Sequence, residues 1–63
     1  MEIAEFDNMR FSGKTIVEYR GVNYNVESVD FVEKLIGIDI FKDEEYGLSW
    51  VRCENVKLVS NAD

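Results

Sequence analysis

One thiol, no imidazole and a run of three carboxylates are what this 63-residue chain offers for covalent or metal chemistry. Without His there is no imidazole base, no Ser-His or Cys-His pair and no His metal ligand. Cys53 sits between Arg52 and Glu54. The carboxylate raises a thiol pKa and the guanidinium lowers it, so the two oppose each other. Cys53 reads as a small buried hydrophobe in a turn. Asp43, Glu44 and Glu45 are adjacent, and adjacent loop carboxylates do not converge on one Ca²⁺ without distant help. They read as a solvated loop. The four Gly stand apart at 13, 21, 37 and 47, which leaves no glycine-rich phosphate cradle. An enzyme is therefore the least expected class, and no cofactor or metal is expected.

Recognition through aromatic anchors is what remains. Trp50, Tyr46 and Phe41 are the candidates. If Val51 faces a core, Trp50 faces out with Leu48 and Arg52, and Leu35, Asp39 and Phe41 share that surface. Asp39, Asp43, Glu44 and Glu45 would then rim an aromatic patch that carries Arg52, a composition that protein interfaces favour. If Trp50 faces in, it is the largest core residue of a domain short of core. The alternation of residues 48–52 leaves both orientations open.

These residues must be positioned by strands. Thr15–Tyr19 is rich in β-branched and aromatic residues. Arg20-Gly21 reads as a tight turn. Val22-Asn23-Tyr24-Asn25-Val26 alternates with period two, placing Val22, Tyr24 and Val26 on one face and Asn23, Asn25 and Glu27 on the other. Val29 and Phe31 are out of step with Val26, which predicts a bulge or bend near Glu27-Ser28. Glu33-Lys34 is the next turn. Leu35–Phe41 is the next strand, with Ile36, Ile38 and Ile40 on the core face and Gly37 opposite, at a close backbone approach. A charged loop over 42–47 leads to a strand from Leu48 to Arg52. A break at Cys53-Glu54-Asn55 follows, then a last strand at Val56–Val59. Residues 1–14 form an N-terminal arm in which Ile3 and Phe6 make one helical turn or staple the arm to the body.

Hydrophobic residues make up 46% of the chain, enough for a folded domain and against disorder. A single Cys without His rules out an internal disulfide and a structural zinc site, so packing or self-association must supply stability. The acidic N-terminus lacks the layout of a signal peptide, no apolar run is long enough to span a bilayer, and the lone Cys suits a reducing compartment. A cytoplasmic location is expected. The net charge of −6 argues against duplex nucleic acid and anionic membranes. It suits solubility, or docking on a basic protein surface.

Residues 47–59, and within them Asn55-Val56-Lys57-Leu58-Val59, resemble the end of a Src-homology-three-like (SH3-like) barrel. There a strand bearing a large residue runs through a 3₁₀ turn into a short final strand. The preceding hairpin, long bent strand, third strand and acidic loop resemble that order too. The resemblance implies an all-β fold, a small five-stranded SH3-like barrel over 15–59 with a 3₁₀ turn before the last strand, and a frayed tail at 60–63. Cys53-Glu54 stands where that family places Pro, so polyproline recognition does not follow with the fold. In style and length the chain is also similar to short barrel proteins of bacteriophages and prophages. The expected function is a non-enzymatic binding module, as in a phage-encoded inhibitor or adaptor docking on a host protein. Two alternatives stand beside it. One is a homo-oligomer that binds small nucleotide-type anions near Arg10, Lys14, Arg20 and Arg52. The other, disfavoured by charge, is a single-stranded nucleic-acid binder.

Overall fold

The computed structural model describes residues 1–42, 45 and 47–61. A six-residue helix, α1 (Ile3–Asn8), precedes β1 (Thr15–Tyr19) and β2 (Val22–Asn25). Arg20 (φ 51°) and Gly21 (φ 83°) both occupy the left-handed region. Two consecutive left-handed residues make a turn whose twist matches that of the flanking strands. It sets Tyr19 against Val22 and Val17 against Tyr24.

The bend expected near Glu27 falls between β2 and β3 (Ser28–Asp30). The Val26 N–H donates to the Thr15 carbonyl at 2.9 Å, whereas the Glu27 N–H donates to the Gly37 carbonyl at 2.9 Å. Consecutive amides thus serve two different ladders. Asp30 Oδ1 then accepts the N–H groups of Val32 and Glu33, both at 3.0 Å, and tightens the turn into β4 (Leu35–Ile38). β5 (Ser49–Arg52) pairs with β4, a 3₁₀ turn spans Cys53–Asn55, and β6 (Lys57–Asn61) returns antiparallel to β1. The last strand runs two residues past Val59.

This architecture corrects the five-stranded closed barrel expected over 15–59. The described strands number six, in two three-stranded sheets ordered β2-β1-β6 and β3-β4-β5, with no ladder closing them into a ring. The Val26–Glu27 bend divides the long strand in two, because its amides leave one sheet for the other. The strand expected over 35–41 is also shorter. Asp39 Oδ1 accepts the Lys42 N–H at 2.8 Å, and the turn this builds ends pairing at Ile38.

The core lies between the sheets and comprises Val17, Val26, Ile36, Ile38, Val51, Cys53, Val56 and, from α1, Phe6. Ile36 and Ile38 are fully buried; Ile40, on the turn beyond β4, packs half-buried against them. Thr15 is the one buried polar residue among those described. Its Oγ1 accepts the Ser12 N–H at 2.9 Å and donates to Asn61 Oδ1 at 2.6 Å, so neither its lone pair nor its proton is stranded. The Met1 ammonium donates to the carbonyls of Cys53 and Val56, and the Lys34 ammonium pairs with Asp7, so that α1 lies on the 3₁₀ turn.

Candidate binding groove

β5 carries the aromatic residue on which the sequence left two orientations open. Val51 is buried, while Trp50 and Arg52 on either side face outward, and Trp50 is 47% exposed. Its partner across the ladder is Gly37. A Cβ built on Gly37 would stand 3.2 Å from Leu48 Cδ1 and 3.3 Å from Cη2 and Cζ3 of Trp50. Glycine therefore lets the indole lie flat on the sheet, the close approach anticipated from the sequence. Replacing it by Val inserts two methyl groups beneath the ring. Gly37→Val should cost about 1–3 kcal/mol as overpacking and push the indole outward. Urea denaturation would show the loss, and a red-shifted Trp emission would show the displacement; an unchanged emission would contradict this geometry.

A groove of about 490 Å³ opens beside β5. One wall is the end of the first hairpin: Tyr19, Arg20, Val22 and Tyr24. The other is Ile40 and Phe41 with Ser49, Trp50 and Val51. The hairpin projects its inner apolar face beyond the reach of the second sheet, leaving Val22 50% exposed. Phe41 is 66% exposed. The Arg20 guanidinium stacks over the Tyr19 ring, 5.1 Å from its centroid, and holds a cation at the mouth. A polar concavity shares Tyr24 with the groove and is lined by Asn23, Asn25, Glu27, Asp39 and Lys42. An apolar slot thus adjoins a polar one that carries two carboxylates and the Lys42 ammonium.

The structure brings Trp50 and Phe41 together on this groove and places Asp39 on the adjoining polar wall. Arg52 faces away, with its Nε 3.5 Å from Glu54 Oε1. Glu45 is exposed. Tyr46, Asp43 and Glu44 lie outside the described residues. The hairpin wall was not anticipated. The alternation that sets Val22 and Tyr24 on one face with Val26 was the available signal, since that is the face the groove exposes.

Cys53 is fully buried in the 3₁₀ turn. Burial raises its pKa above the ordinary 9.0, as does Glu54, whose Oε1 accepts the Sγ–H at 3.7 Å; the N-terminal ammonium and Arg52 pull the other way. A raised thiol pKa means that the folded state holds this proton more tightly than the unfolded chain. The stabilisation is complete below about pH 8.5–9 and is lost as pH climbs through the folded value. Iodoacetamide should accordingly label Cys53 only as fast as the chain opens, and stability should fall on the alkaline side. Labelling of the native protein at the rate of a free cysteine would refute this.

Among the described residues there is no group of three Cys, Asp or Glu side chains placed to hold a metal ion, and no helix long and apolar enough to cross a membrane. Comparison with protein-family models, with curated proteins and with solved structures found no match to this chain.

Proposed function

We propose that this chain is a non-enzymatic binding module that engages a basic protein partner through the groove between the first hairpin and β5. The observation that carries this reading is the overhang: Val22, Tyr24, Phe41 and Trp50 surround one concavity, where Val22 and Trp50 are about half exposed, Phe41 more so and Tyr24 partly covered. In a domain this small, apolar surface is scarce, and leaving it in water forgoes about 25 cal/mol per Å² of stabilisation. An exposed cluster of this kind marks interaction sites. The net charge of −6 favours a cationic partner and speeds its approach.

Val22→Asp and Trp50→Ala test the reading. Both side chains are about half exposed, so each variant should fold with a loss of about 1–2 kcal/mol or less. Affinity capture from a cell lysate at low ionic strength should retain proteins on the wild type that both variants lose, and added salt should weaken that capture. Identical capture by all three, or a salt-insensitive pattern, would contradict the proposal.

A further inference from the structure

From the way the groove meets β5, we propose that the partner binds as an extended basic segment that adds a strand to β5, with an apolar side chain seated in the groove. The inference rests on the groove being a binding site. Three consecutive residues of β5, Ser49, Trp50 and Val51, line the groove. Neighbouring side chains of a strand point to opposite faces, so a concavity touching all three lies along the strand's edge. That edge is free: β5 ends its sheet, with β4 as its sole neighbour among the described strands.

Backbone alternation says which groups point into it. The Cys53 N–H donates to the Lys34 carbonyl at 3.0 Å, so that pair is hydrogen-bonded. Bonded and non-bonded pairs alternate in an antiparallel ladder. With Leu35 opposite Arg52 and Gly37 opposite Trp50, the residues at 51 and 49 bond to β4, whereas the N–H and C=O of Trp50 and the N–H of Arg52 point outward; the Arg52 C=O caps the 3₁₀ turn over Cys53–Asn55. Two donors and one acceptor therefore stand along the free edge of β5 at the spacing of an incoming strand, the arrangement used in recognition by strand addition. Every second residue of such a strand faces the apolar slot.

Charge decides between a foreign segment and a second copy. Two copies would bring −6 against −6. A lysine- or arginine-bearing segment is instead attracted by that net charge; at the groove itself Glu27 and Asp39 are matched by Lys42 beside them and Arg20 at the mouth, so the whole-chain charge supplies the preference.

Arg52 offers a selective test, because its φ of −69° suits proline. Arg52→Pro removes an outward N–H while keeping the β4 ladder and the groove; Arg52→Gln controls for the lost charge. The probe is a blocked heptapeptide alternating Lys with Val and Phe, followed by the emission of Trp50, the chain's one Trp, and by amide hydrogen exchange. Wild type and Arg52→Gln should bind it alike, with exchange slowed at the Trp50 amide. Arg52→Pro should bind about tenfold more weakly, as should a peptide N-methylated at alternate amides. If Arg52→Pro and the methylated peptide bind like their parents and the Trp50 amide is not protected, strand addition is overturned while the groove stands as a site. If the wild type binds neither the peptide nor its methylated form, both readings fall. If the free protein shows concentration-dependent protection at Trp50 together with a doubled mass, the occupant is a second copy and the proposal is overturned.

Discussion

Ile38→Asp is expected to leave the chain unfolded at neutral pH. Ile38 is fully buried on the inner face of β4, and Thr15 is the one polar residue buried among those described. No cation in that core could meet a carboxylate. The substitution removes the transfer free energy of a buried isoleucine and adds the desolvation of a charge. Such an aspartate escapes the second cost only by taking up a proton. A domain of this size is stable by roughly 3–9 kcal/mol, and the combined loss is of that order. Because burial would raise this carboxyl's pKa above the unfolded value of about 3.9, its destabilisation should be full above the raised value and relax as pH falls through it toward about 3.9. Ile38→Val, which deletes one methylene, should cost about 0.5–1.5 kcal/mol and separate packing from charge. Circular dichroism and Trp emission against urea measure both. A cooperative transition of Ile38→Asp at the wild-type midpoint would place residue 38 outside the core.

That prediction was accessible from the sequence, and its basis shows what was legible there. Period-two alternation at Ile36 and Ile38, the Arg20-Gly21 turn, the parity break before Ser28 and the small residue at position 37 are all local signals, and each falls at the feature it pointed to. Closure was not legible. Alternation says which face of a strand is apolar but not whether its edge finds a partner, and the two sheets remain open. The same limit hid half of the groove. Val22 and Tyr24 share the inner face with Val26, yet Val26 is 6% exposed and Val22 is 50% exposed. The difference is how far the opposite sheet extends, which no property of residues 22–26 encodes. The reach of β4 was likewise set by a side chain–backbone bond, from Lys42 N–H to Asp39, and not by hydrophobic pattern.

Phe6→Ala should be the most damaging truncation in the N-terminal arm. Helix α1 has six residues, far fewer than the roughly 12–15 an isolated helix needs in water, and its N-cap Glu2 makes no side-chain capping bond. Its order comes from what it buries. Phe6 is fully buried, with its ring centroid 5.4 Å from that of Phe11 and 5.2 Å from that of Phe31; Phe11 and Phe31 stand 6.0 Å apart. The Lys34–Asp7 pair is partly exposed and of the kind that contributes at most about 1 kcal/mol, so it cannot hold the helix alone. Deleting the Phe6 ring removes about 3–5 kcal/mol of packing and strands two further rings. A melting temperature lower by about 12 °C or more follows for a domain of this size. Because α1 lies over the 3₁₀ turn, its release should also uncover Cys53. Iodoacetamide labelling of Phe6→Ala should outpace that of the wild type at temperatures where the β-sheet circular dichroism persists, and Phe6→Leu should restore most of the protection. Labelling that tracks loss of the sheet signal would mean that the arm and the two sheets unfold as one unit, and that Phe6 serves the whole core rather than its own helix.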